Sequence, residues 1–308
     1  MNRKINDLSI SEKLRVLEKK NTRKVFINIL KILISIALLY FVFVKIPFHD
    51  IAKIWSTVNV FYVASGAFFF LASQILSTKR LEFYLKINDF NLSFRSNLEL
   101  YFLGMFYNFF IPGGIGGDAY KIYILNKNFN WNIKKLTSAI FNDRLSGLLA
   151  ICVLILISSM FLLSAQLVVL SLIMMITGVL LTFFITKKLF SIYQTIFFKT
   201  FLISVLIQIL QIVCFIFLLK SLGIKENYKI YIITFLGSSI LSLISFAGIG
   251  VREFLFLQAS KYFDFNTSVS VSASLLFTVV TAFFSLLGII LLIKNMNLFK
   301  IRNRKKSI

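Results

Sequence analysis

The residues of this chain best suited to chemistry are few and fall in three groups. Asp118 and Lys121 follow a glycine-rich break made of Pro112, Gly113, Gly114, Gly116 and Gly117; Asp143 and Arg144 are neighbours inside an apolar stretch; Arg252 and Glu253 follow Gly248-Ile249-Gly250. Charges in apolar surroundings are costly and persist where they pair with one another or meet a ligand. Pro112 removes a backbone donor and the glycines favour an unwound backbone, whose freed amides need protein or water around them. Amides exposed where a helix restarts attract phosphate. The first break with Lys121 therefore reads as a site for an anionic head group, the alternative being that Asp118 is only the N-cap of the restarting helix. Asp118 and Lys121 are also spaced to pair at i, i+3.

Asp143 and Arg144 fall about 10 Å inside a span beginning near Leu136. Adjacent residues on a helix point apart, so each requires its own partner, either as glue between spans or along a substrate path. Arg252 and Glu253 read as an ion pair at a helix start or as the second half of the same site. His49 is the only histidine, and Cys152 and Cys214 sit in separate apolar runs, so no metal, cofactor, disulfide or histidine relay is expected. Gly114-x-Gly116-x-x-Ala119 has the form of a dinucleotide fingerprint but follows an apolar segment and no strand, and is rejected.

These groups are embedded in a chain of 308 residues that is 58% hydrophobic and 15% charged, with a mean hydropathy of +0.86. Such a composition defines an integral membrane protein. The net charge of +22 lies mostly between long apolar segments, where the positive-inside bias and anionic lipid account for it, so nucleic acid is not the expected partner. Apolar stretches able to cross a bilayer occur at 25–44, 58–76, 136–163, 165–186, 200–219 and 268–293. Two weaker stretches, 98–111 and 229–246, end at the two glycine breaks.

If both weak stretches are re-entrant, the basic residues distribute better toward the cytoplasm than if both cross. The expected fold is thus an all-α integral membrane protein with six full transmembrane helices plus two glycine-broken re-entrant hairpins, the alternative being eight spans. The repeated Gly-Ile-Gly, each copy flanked by spans of opposite sense, suggests an inverted repeat. Residues 1–24 form a basic cytoplasmic segment, 25–293 a polytopic membrane domain beginning with a retained first span, and 294–308 a basic cytoplasmic tail.

The run from Asn108 through Pro112 and the glycines to Asp118 and Lys121, then Asp143-Arg144, then Gly248-Ile-Gly-Val-Arg252-Glu253 resembles the signature stretches of the lysylphosphatidylglycerol synthase transmembrane region family, the flippase-like domain proteins. The match covers about residues 24 to 294. The family often has Glu and Arg at the positions of Asp118 and Lys121, and Glu-Arg at Asp143-Arg144, so charge is preserved; Phe246-Ala247 stands where a proline often precedes the second glycine cluster. The chain ends at Ile308 without the soluble aminoacyl-transfer domain of full-length synthases, so enzymatic activity is not the first expectation.

The resemblance implies movement of lipid between leaflets or a part in glycolipid and envelope pathways. The expected function is translocation of an anionic phospholipid or lipid-linked glycan precursor in the cytoplasmic (inner) membrane. Asn108, the glycines of both breaks, Asp118, Lys121, Asp143, Arg144, Arg252 and Glu253 would contact substrate or balance its charge. The alternative is a membrane-embedded lipid-modifying or glycosyl transferase, with Asp118 or Asp143 as acid or base, or a membrane partner of such an enzyme. Expected partners are lipids with anionic head groups, with room for a glycosyltransferase or envelope-biosynthesis protein or a second copy of the chain.

Overall fold

The computed structural model describes residues 40, 53–110, 116–242, 250–263 and 265–293. The span expected at 25–44, both basic termini, and most of the two breaks, including Gly113, Gly114 and Gly248, lie outside the described residues. Within them the elements are helices: α1 (Val60–Lys86), α2 (Phe94–Phe110), α3 (Gly116–Phe129), α4 (Ile133–Ser159), α5 (Ala165–Leu189), a 3-10 turn (Ser191–Ile196), α6 (Phe197–Ser221), α7 (Tyr228–Leu241), α8 (Val251–Ala259) and α9 (Thr267–Ile293). Five of these segments are long and apolar enough to cross a membrane.

Local sequence sets several boundaries. Asn59 accepts from the Phe61 amide at 3.0 Å to start α1, and Asn132 accepts from Lys134 and Lys135 to start α4. The span expected at 58–76 continues to Lys86, because Arg80 and Glu82 are buried by packing that hydropathy does not register.

The two weak stretches become helical hairpins. Asn108 meets Gly117 and Gly104 meets Lys121, so α2 and α3 run antiparallel across the first break. Across the second break, Ser238 meets Arg252 and Gly237 meets Leu255, so α7 and α8 do the same. All four arms, at 9 to 17 residues, are shorter than the roughly 20 residues a full crossing takes.

An inverted repeat relates the two halves at constant register. Adding 134 to the first residues of α2 and α4, 94 and 133, gives 228 and 267, where α7 and α9 begin; adding it to 159, the end of α4, gives 293, the end of α9. Helix α1 corresponds to α6 and α3 to α8. The contacts obey the same exchange: α2 packs on α9 as α7 packs on α4, and α4 packs on α6 as α9 packs on α1. At the centre α1 crosses α6 antiparallel, from Asn59 beside Ser221 to Tyr84 beside Thr200, as a two-fold axis in the membrane plane requires.

Two cores form, one around each hairpin, the second also taking in Phe70 and Phe102 from the first half. One contains Leu81, Leu85, Leu100, Leu125 and Ala139; the other contains Phe215, Leu219, Phe235, Phe256 and Ala273. Leu81, Leu85 and Ala139 stand 134 residues before Phe215, Leu219 and Ala273. Helix α5 has no counterpart in this exchange and buries only Ser171 and Thr186, so its apolar surface is left for lipid.

Close approach is strict at Gly288, where α9 meets α2: a Cβ there would lie 2.5 Å from the Phe102 carbonyl oxygen. Gly288→Ala is expected to destabilise the protein by about 1–3 kcal/mol, read as a lower thermal unfolding midpoint in detergent. Gly178→Ala, with nothing within 4 Å, should leave the midpoint unchanged.

Candidate functional site

Between the two cores lies a cavity of about 270 Å³. Gln74 of α1, Asn108 of α2, Lys121 of α3, Arg144 of α4, Gln211 of α6, Arg252 of α8 and Thr281 of α9 all line it. The mid-residues of α1, α4, α6 and α9 are 73, 146, 209 and 280, so Gln74, Arg144, Gln211 and Thr281 place the cavity halfway along four spans. Phe70, Met105, Phe109 and Phe277 form its apolar wall.

Asp118 organises one side. Arg144 holds its carboxylate with two bonds, Nε at 2.7 Å and a terminal nitrogen at 3.1 Å, while Lys121 Nζ donates to the same carboxylate at 3.2 Å. The i, i+3 pair expected from spacing is therefore present. The N-cap reading of Asp118 is corrected: the carboxylate turns to α4, and Asn108 takes the capping task, accepting from the Gly117 amide at 2.8 Å. Lys121 also lies 4.9 Å from the Tyr101 ring centroid. The Arg144 side chain remains 49% exposed, and its free side faces the cavity.

Arg252 supplies the opposite side under different conditions. Its residue is only 8% exposed, it touches Ser238 Oγ at 3.4 Å, and it lies 4.7 Å from the Phe277 ring and 5.7 Å from the Phe235 ring. Among the described residues no carboxylate forms a salt bridge with it. Glu253, expected as its ion-pair partner, instead accepts from the Gly250 amide at 2.8 Å and from the hydroxyls of Ser274 and Thr278 at 3.1 and 3.2 Å. Gly250 has φ of +82°, a conformation suited to glycine at this sharp entry into α8.

Asp143 is placed away from the cavity. Its carboxylate receives Arg80 at 2.8 and 3.2 Å, and Arg80 also donates to Ser204 at 2.8 Å, tying α1, α4 and α6 together. The adjacent charges thus take separate partners, as helical geometry demands, but only Arg144 faces the cavity. Of the glycine amides expected to hold the anion, those of Gly117 and Gly250 are taken by Asn108 and Glu253, while Gly113, Gly114 and Gly248 lie outside the described residues; among the described residues the positive charge at the cavity comes from cationic side chains.

Sequence reasoning passed over Arg80, Gln74, Gln211 and the α9 hydroxyls. Asp143 at depth calls for a buried cation, which pointed to some Arg or Lys without naming one. Glutamines within otherwise apolar spans, and Thr278, Thr281 and Ser285 recurring on one face, are the other signals.

Helical hairpins packed among long apolar helices around a polar cavity define a multi-pass membrane protein. The chain belongs to the lysylphosphatidylglycerol synthase transmembrane region family, whose profile matches residues 28–288. Among curated proteins none matches the chain.

The Arg80–Asp143 pair is separable from the cavity by experiment. Arg80→Ala should cost about 3–5 kcal/mol by leaving a buried carboxylate uncompensated, whereas Arg80→Met with Asp143→Leu should recover most of that loss; thermal unfolding of the purified variants measures both.

Proposed function

We propose that this protein translocates a lipid bearing an anionic head group between the leaflets of the cytoplasmic membrane, with both termini on the cytoplasmic side. The observation that carries the reading is the set of three cations, Lys121, Arg144 and Arg252, brought by both hairpins and a spanning helix to a cavity at mid-depth. A buried arginine with aromatic rings and a hydroxyl but, among the described residues, no carboxylate partner is poised for an anion. The two-fold frame supplies a route to alternating access, since hairpins and spans related by inversion can exchange arrangements around a fixed site.

Translocation is favoured over group transfer by the state of the carboxylates. Asp118 is held by two cations, Asp143 by Arg80, and Glu253 by an amide and two hydroxyls. None of the three is placed as an uncommitted acid or base beside the cavity.

The test uses the purified chain in liposomes carrying fluorescent anionic and zwitterionic lipids, reading bleaching of the outer leaflet with and without a proton or sodium gradient. Protein-dependent movement of anionic lipid is expected. Arg252→Ala and Lys121→Ala should each slow it by roughly 10- to 100-fold, the equivalent of a lost charge-assisted hydrogen bond, compared at equal amounts of folded, reconstituted protein. Unimpaired movement in both variants would falsify the proposed site.

A further inference from the structure

We infer that the cavity selects a head group whose only charge is its phosphate and whose remainder is a neutral polyol or sugar, and that it rejects head groups carrying an ammonium. This inference rests on the reading of the cavity as a lipid head-group site and specifies which lipids it takes.

The charge inventory comes first. The cavity wall contains Lys121, Arg144 and Arg252 and, among the described residues, no Asp or Glu. Asp118 is 6% exposed and its two oxygens are occupied by Arg144 and Lys121. Glu253 is fully buried behind the wall. Neither segment 111–115 nor segment 243–249, which complete the breaks, contains an acidic residue. Three cations against Asp118, bound to Lys121 and Arg144, and Glu253, which accepts from the cavity-lining Thr278, leave a local excess of one positive charge. That excess suits a phosphodiester or phosphomonoester and opposes an aminoacyl or ethanolamine group, whose ammonium would enter a poorly screened space with no free carboxylate to receive it.

The uncharged groups point to the rest of the ligand. Gln74, Asn108, Gln211, Ser242, Thr281 and Ser285 line the same space and offer both donors and acceptors, the complement of several hydroxyls. Ser285 Oγ is buried and has no hydrogen-bond partner among the described residues, an unmet demand that a ligand hydroxyl would meet.

Size sets the binding mode. Ligand cavities that enclose whole drug-sized molecules span about 300–1,000 Å³, and this one holds about 270 Å³. It accommodates a head group and not two acyl chains, which must remain in the surrounding lipid. Phe70, Met105 and Phe109 add apolar surface beside the polar space.

The experiment reconstitutes the full chain in liposomes and follows three acyl-labelled probes by outer-leaflet bleaching: phosphatidylglycerol, phosphatidylethanolamine and lysyl-phosphatidylglycerol. Phosphatidylglycerol should move at least about tenfold faster than either ammonium-bearing lipid. Gln211→Glu and Gln74→Glu, near-isosteric changes that place a carboxylate in the wall, should narrow or reverse that ratio. Equal rates for all three lipids, or a preference for the ammonium-bearing ones, would overturn the head-group inference while leaving translocation standing. If no probe moves, translocation falls, and competition between phosphatidylglycerol and lysyl-phosphatidylglycerol for the protein in detergent decides the inference. Preferential retention of phosphatidylglycerol that the Gln→Glu variants weaken upholds it; equal retention overturns it.

Discussion

The two-pronged bond from Arg144 to Asp118 is the contact on which the arrangement of this protein most depends. It joins the re-entering arm α3 to the spanning helix α4 in a region where charges are expensive to bury. It satisfies a carboxylate that would otherwise be buried alone, and it fixes the Arg144 guanidinium with one side still open to the cavity. Lys121 on the same carboxylate brings a second cation to the wall. The neighbouring Asp143 is kept from competing for Arg144 because Arg80 claims it from the other face of α4. Two adjacent charges on one helix thereby divide the labour, one holding helices together and the other presenting charge to the cavity.

The frame around this contact is symmetric and its chemistry is not. Position 118 corresponds to position 252 through the constant register, yet one is an aspartate bound by two cations and the other an arginine sheltered by two rings. Asn108 corresponds to Ser242, and Arg144 to Thr278, and all four line the cavity. The repeat thus offers matching positions for polar side chains, while most of the fixed charge lies in the first half. The second hairpin contributes its one cation from a more enclosed setting, with Glu253 spent on keeping α8 in place. A ligand anion seated between the halves would be the element that joins Arg252 to the Asp118 cluster.

Much of this was readable from sequence because membrane burial imposes blunt rules. Long apolar runs, Pro112 with its glycines, and paired charges inside a span leave few structural solutions, and the Asp118–Lys121 contact follows from helical spacing alone. Other features depend on tertiary contact and had no local mark. Arg80 follows the apolar run 58–76 and resembles a loop cation, but α1 continues to Lys86 and carries it inward to a residue 63 positions later. The cap of α3 comes from Asn108, across the break, so the nearest polar side chain was a misleading candidate. Helix α3 itself mixes Asp118, Lys121 and Lys127 with its apolar residues and has no hydropathy signal of a membrane element. Arg252 and Glu253, adjacent and opposite in charge, suggested a pair; the helix start at Gly250 drew Glu253 away.

The constant offset of 134 residues also bears on how this architecture tolerates change. Loops ordinarily accept insertions and deletions more readily than the elements they join. Here the register from α2 to the end of α4 repeats from α7 to the end of α9 without gain or loss, through both breaks and through the connectors 130–132 and 260–266. Side-chain identity has drifted so far that little more than Gly-Ile-Gly remains recognisable. One added residue within an arm would turn everything after it by about 100° and shift it by about 1.5 Å, moving a cation off the cavity wall. What the two halves hold in common is therefore chiefly a set of lengths, a ruler by which α3 and α8 reach matching positions whatever residues happen to be written along it.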